Sequence, residues 1–111
     1  MTVTTKNFVT AKFMENALTA QYQPTGAKGK IMQVAVSNQD TATRSFSIHI
    51  VPSAGTAGNS NRFIKDKVLQ PGETYGCPEI VGMIVDSGGS ITTIASAANA
   101  INMQIAGAEI T

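Results

Sequence analysis

The apolar residues of this chain come in short runs with a period of two. From Arg44 to Val51, Phe46, Ile48 and Ile50 fall on one side and Ser45, Ser47 and His49 on the other. That alternation predicts a half-buried antiparallel strand. Ile101, Met103 and Ile105 alternate with Asn102, Gln104 and Ala106 in the same way. In Lys30–Val36, the set Met32, Val34, Val36 alternates with Ile31, Gln33, Ala35, which predicts a strand covered on both sides. Val-, Ile- and Thr-rich runs separated by Gly, Pro, Asn and Ser every 8–12 residues or so mark a β-sandwich or barrel. The predicted strands are Phe8–Met14, Ala17–Gln23, Lys30–Asn38, Arg44–Pro52, Phe63–Leu69, Thr74–Cys77, Ser90–Ser96 and Ile101–Ile110. The expected fold is therefore all-β, an antiparallel β-sandwich of about eight strands.

The segments between these runs carry turn chemistry. In Gln70-Pro71-Gly72-Glu73, proline presets φ and glycine accepts a positive φ, the requirements of a type II turn. Asp86-Ser87-Gly88-Gly89 is a second turn, and Asn38 opens an Asx-type turn before the strand at Arg44. Pro52–Asn61 is a ten-residue loop without apolar anchors, of the kind that is either mobile or ordered by a partner. Pro78–Met83 could form one helical turn, limited by Gly82. Ile94–Ala100 is alanine-rich, but the alternation resuming at Ile101 favours strand–turn–strand.

Composition adds a lean towards assembly. The 111 residues amount to one domain, with a predicted folded surface of roughly 5,800 Å². Only 14% are charged, against about 25% in an average globular protein. A surface poor in Lys and Glu resembles the core of an interface. Residues 1–67 carry eight basic and three acidic groups, whereas 68–111 carry four acidic and no basic ones. Such asymmetry suits complementary packing between copies, although chance in a lightly charged chain accounts for it equally simply. The basic residues are dispersed, so no phosphate-binding patch and no direct contact with nucleic acid is expected. Lys12 interrupts the early apolar stretch and the run Met83-Ile84-Val85 is too short to span a bilayer. No membrane association or secretory signal is expected.

The residues that could carry chemistry stand alone. His49 is the one histidine and Cys77 the one cysteine, so neither a disulfide nor a Cys/His metal cluster is available. His49 is read as a surface or interface histidine and Cys77 as a semi-buried, inert thiol. The glycines follow no phosphate-loop spacing. No enzymatic activity, cofactor or metal is expected.

Residues 1–16 form an N-terminal segment and 17–111 the sandwich. Phe8 and Phe13 have opposite parity, which fits either an ordinary first strand or an arm reaching onto a neighbouring subunit. Phe8 and Phe13, with Ser53, Thr56, Asn59 and Asn61 of the long loop, are the candidate interface residues.

The runs Val34–Asn38, Phe46–Ser53, Ile64–Thr74, Glu79–Gly82, Gly89–Ile91, Ala95–Asn102 and Gly107–Ile110 together resemble a class of small tailed-bacteriophage virion proteins. In size and pattern the chain is most similar to the jelly-roll cement, decoration or staple proteins on the heads of short-tailed phages. The resemblance covers about residues 25–111. It implies a jelly-roll-like sandwich, made in the host cytoplasm and placed on the virion surface. It also implies contact with the major capsid protein at capsomer junctions, where a homodimer would span a two-fold junction. The alternatives are a neck or tail component, or a carbohydrate-binding host-attachment module. The last needs exposed aromatic platforms, and the chain has no Trp and two tyrosines, Tyr22 and Tyr75.

Overall fold

A computed structural model describes residues 1–111. Nine strands follow one another: β1 (Val3–Phe13), β2 (Thr19–Tyr22), β3 (Lys28–Asn38), β4 (Arg44–Val51), β5 (Arg62–Leu69), β6 (Thr74–Tyr75), β7 (Ile84–Val85), β8 (Ser90–Ala95) and β9 (Ile101–Ile110). The first sheet runs β1-β9-β3-β6, with β7 also paired to β3, and the second runs β2-β8-β4-β5. Every pairing is antiparallel. The chain winds between the sheets: β1 in the first, β2 in the second, β3 in the first, β4 and β5 in the second, β6 and β7 in the first, β8 in the second, β9 in the first. An eight-strand roll with one strand position split in two has this order, so the sandwich is a jelly roll.

The alternation read from β4 and β9 builds the core. Phe46, Ile48 and Ile50 of the second sheet share one buried cluster with Ile101, Met103 and Ile105 of the first. Phe46 lies opposite Ala95 and Ile50 opposite Ile91, so inward positions of β4 and β8 pair row by row. The predicted turns form as their residues dictate. The Glu73 N–H donates to the Gln70 carbonyl at 3.0 Å with Gly72 at φ 79°. Gly89 N–H reaches the Asp86 carbonyl at 2.8 Å with Gly88 at φ 84°. The Asn38 side chain accepts from the Asp40 N–H at 2.9 Å, an Asx turn.

Five expectations need correction. β4, predicted half-buried, is buried on both faces from Phe46 to Val51, with Ser47 and His49 covered as well as the apolar side. β1 starts at Val3, five residues before the predicted Phe8, because the β-branched run Val3-Thr4-Thr5 pairs along β9 from Ile110 to Ala108. In β3, a register shift between Ile31 and Gln33 makes Met32 the extra residue. Ile31, Val34 and Val36 therefore face the core while Met32, Gln33 and Ala35 are exposed. The strand is covered on one side only. The predicted strand Thr74–Cys77 stops at Tyr75, since Cys77 has φ 49° and Pro78 has no N–H to give a ladder. The chain rejoins β3 as β7, which makes the count nine. Residues 78–83 make successive turns and no helix: Ile80 N–H donates to the Cys77 carbonyl and Met83 N–H to that of Ile80.

Candidate functional site

The loop from Pro52 to Asn61 joins β4 to β5 at the end of the sandwich that also holds the turn 86–89, where Ser53 sits beside Gly88. Its order comes from one side chain. The Asn61 carboxamide donates from Nδ2 to the Thr56 carbonyl at 2.8 Å and accepts at Oδ1 from the Gly58 N–H at 3.0 Å. The same Oδ1 lies 3.1 Å from His49 Nδ1. An amide oxygen can only accept, so His49 carries its proton on Nδ1. Two turns shape the rest, with Gly55 N–H on the Pro52 carbonyl at 2.9 Å and Asn61 N–H on that of Gly58 at 3.2 Å.

His49 has the outward parity of β4, opposite Thr92 of β8 and Arg62 of β5. It is nonetheless 4% exposed. The surface or interface histidine expected from its parity is buried within the chain itself, against Asn61. Its burial comes from position on an interior strand, beside a loop whose Asn61 reaches back to it. Periodicity alone cannot report that, because it describes a strand and not what crosses over it.

The six candidate residues do not form one site. Ser53, Thr56 and Asn59 are exposed along the loop, and Asn59 Oδ1 accepts from Arg62 Nη2 at 2.9 Å. Asn61 is buried beneath them as the anchor. Phe8 is buried between the sheets, its ring stacked on Tyr22, and it offers no surface to a partner in this chain. Phe13 is half-exposed opposite Asn102, at the far end of β1 from the loop, on a molecule 45 Å long.

A second cluster closes the seam between β5 and β6. The Lys67 ammonium stands 4.5 Å from the centre of the Tyr75 ring, and the Tyr75 hydroxyl lies 2.6 Å from each carboxylate oxygen of Glu79. Sharing its proton with Glu79 pushes the Tyr75 hydroxyl up to about 12, and the same bond holds the Glu79 carboxyl below its ordinary range. Cys77 beside them is fully buried, not semi-buried as expected, and burial pushes its thiol up to about 12. Tyr22 is buried as well, its hydroxyl donating to Glu109 at 2.6 Å. Neither tyrosine thus presents a ring free on both faces.

The outer face of the first sheet holds two shallow hollows, of about 490 and 240 Å³, which share Gln33 and Ala106 as lining. No three His, Cys, Asp or Glu side chains come close enough together to hold a metal ion. No helix is long and apolar enough to cross a membrane. Comparison with models of protein families, with curated proteins and with solved structures found no match to this chain. What is shown is an all-β sandwich of two antiparallel sheets, with a self-ordered loop at one end.

Proposed function

We propose that this chain is a bacteriophage capsid decoration protein, docking on the shell of the major capsid protein through the loop that carries Ser53, Thr56 and Asn59. The observation that carries the reading is the loop's internal order. Three hydrogen bonds converge on Asn61 beneath it, while the side chains above are polar, uncharged and exposed. Ordering a rotamer-rich interface side chain costs about 0.5–1.5 kcal/mol on binding, and a loop held in shape beforehand avoids part of that cost. Neither hollow of the first sheet is lined by the loop, whose exposed side chains suit a flat protein surface better than a small molecule. The jelly-roll winding, the low charge content and the resemblance of the Phe46–Ser53 and Ile64–Thr74 runs to head cement proteins support the same reading.

In this role the protein performs no chemistry and needs no cofactor. It binds the assembled lattice in preference to free shell subunits, and so stabilises the assembled state by mass action. Attachment at several points raises the effective concentration of each contact, so individually modest contacts suffice. The protein would be made in the host cytoplasm and reside on the capsid surface.

Copy number per particle is the test. Quantitative mass spectrometry of purified virions, with particle imaging, is expected to find the protein on the head in roughly hundreds of copies, as a multi-subunit lattice requires. About six or twelve copies would overturn the reading in favour of a neck or tail component. On the shell, Asn59→Ala combined with Thr56→Ala is expected to lower occupancy without changing the fold.

A further inference from the structure

The outer face of the first sheet is distinct from the loop and has a character of its own. Its outward positions include Asn7 on β1, Gln104 and Ala106 on β9, and Lys30, Gln33 and Ala35 on β3. No outward position in these three strands is acidic; Lys28 and Lys30 lie near one end, and Lys6, paired with Glu109 at 3.6 Å, borders the larger hollow. Of the nine large apolar side chains the chain exposes, Val3, Phe13, Met32 and Ile84 lie on this face. Scattered exposed apolar residues are ordinary, but four on one sheet face around an uncharged centre are what a docking surface shows.

The relief of the face is self-complementary. Met32, the extra residue of the β3 bulge, stands out with 54% of its surface exposed. Beside it along the same strand lies the hollow of about 240 Å³, lined by Gln33, Ala35, Gln104 and Ala106. Knob and hollow are both on β3, on either side of its midpoint. Such an arrangement closes on itself under a two-fold axis, because each knob then meets the other copy's hollow. The carboxamides of Gln33, Gln104 and Asn7 both donate and accept, so this chemistry is also complementary to itself.

We infer that this face is where two copies of the chain dock, about a two-fold axis crossing the strands between Met32 and Ala35, with Met32 of each copy seated among Gln33, Ala35, Gln104 and Ala106 of the other.

Charge selects that axis. A two-fold running along the strands would gather Lys28 and Lys30 of both copies at one end. The axis across the strands sends them to opposite ends, with the two Lys30 side chains about 20 Å apart at a rise of about 3.3 Å per residue, well beyond the Debye length of about 8 Å at physiological salt. The broad side of the molecule measures 45 by 26 Å, which is enough for the roughly 800 Å² that each partner buries in a standard interface. Docking of copies here leaves the loop of Ser53, Thr56 and Asn59 free, so it is independent of the proposed shell contact.

Sedimentation equilibrium on the purified full chain tests the inference. A dimer is expected at about 10–100 μM, the range of a modest specific interface. Met32→Lys and Ala35→Glu are each expected to weaken it about tenfold or more. Val68→Lys, an exposed position on the second sheet, is expected to leave it intact. Met32→Ala serves as a milder variant should the charged ones fold poorly, judged by circular dichroism. A short bis-maleimide should link Gln33→Cys chains into covalent dimers but not Val68→Cys chains, since Cys77 is buried. A wild type monomeric throughout that range, or a dimer that Met32→Lys and Ala35→Glu leave unchanged, overturns the inference. Loss of shell binding in a loop variant that still dimerises would count against the decoration reading alone.

Discussion

The ring of Tyr22 lies flat on the ring of Phe8, with centroids 4.0 Å apart and planes 5° from parallel. The two residues come from β2 and β1, edge strands of opposite sheets, so their contact closes one side of the sandwich. Two glycines make the room. A Cβ at Gly29 would sit 2.8 Å from the Tyr22 ring, and one at Gly107 would collide with both the Phe8 ring and the Lys30 carbonyl.

Phe8→Ala should therefore cost about 3 kcal/mol, as emptying a buried aromatic site does. For a domain of this size that is a fall in Tm of about 12 °C. Tyr22→Phe keeps the stack and loses only the hydrogen bond to Glu109, a change of about 1 kcal/mol. Gly107→Ala should be worse than Gly29→Ala, because backbone at Lys30 cannot swing aside as a ring can. Thermal melts of the four variants check the order. A Phe8→Ala milder than Tyr22→Phe would mean that the stack does not hold this seam.

Asn61 is predicted to govern the β4–β5 loop. Asn61→Ala removes the acceptor shared by Gly58 N–H and His49 Nδ1 and frees the Thr56 carbonyl. A buried His49 left without its partner alone costs about 1–3 kcal/mol. Amide exchange between residues 55 and 60 should quicken about tenfold or more, while β3 and β9 keep their protection apart from the global loss. Equal acceleration across the whole chain would show that the loop opens only when the sandwich unfolds.

How far the sequence could be read follows from which forces act locally. The course of β4 and the bounds of β9 were legible because a period of two reports the core-facing side directly, but it did not show that the other side of β4, at Ser47 and His49, is buried too. The turns at Gly72, Gly88 and Asn38 were legible because their chemistry is local. Met32 was not, since a bulge shifts the parity of a run that is apolar on both sides of Gln33. The burial of His49 and of Phe8 was not legible, for a common reason. Their surroundings are built by segments far away in the chain, the loop up to Asn61 for one, and Tyr22 with Gly107 for the other. The first five residues of β1, Val3 to Asn7, were missed for the same reason, because what orders them is β9.

Asn38 should be among the least replaceable polar residues. Fully buried at the end of β3, its Nδ2 donates to the carbonyls of Ala42 and Leu69, at 2.9 and 3.0 Å. Its Oδ1 accepts from Asp40, and its backbone pairs with Gly72 and Glu73. One residue thus ties together the turn into β4, the end of β5 and the turn into β6. Asn38→Asp keeps the acceptor but places a carboxylate against two carbonyls, so it should be no better tolerated than Asn38→Ala. Both should cost about 3 kcal/mol, the sum of lost bonds and stranded carbonyls. Urea unfolding measures this, and a loss below about 1 kcal/mol would show that water replaces the side chain.

The seam around Cys77 should make the protein sensitive to alkali. The thiol rises from an ordinary 9.0 to about 12, first because it is buried and second because the Glu79 carboxylate is near, with Lys67 acting the other way. The Tyr75 hydroxyl rises from 10.0 to about 12, mainly through its bond to Glu79. Both folded values lie above the unfolded ones, so the stability these groups lend is complete below pH 9 and is lost as pH climbs towards 12. In that window the unfolded chain has released protons that the folded chain still holds. Cys77 alone should steepen the fall by up to about 1.4 kcal/mol per pH unit. Cys77→Ala should lower stability at pH 7 slightly, through the small cavity, and flatten the decline above pH 9. Tyr75→Phe should flatten it only above pH 10. Urea unfolding at pH steps from 7 to 11 separates the two. If wild type and Cys77→Ala decline in parallel above pH 9, the thiol ionises as readily in the folded chain as in the unfolded one, and the closed seam drawn around it is wrong.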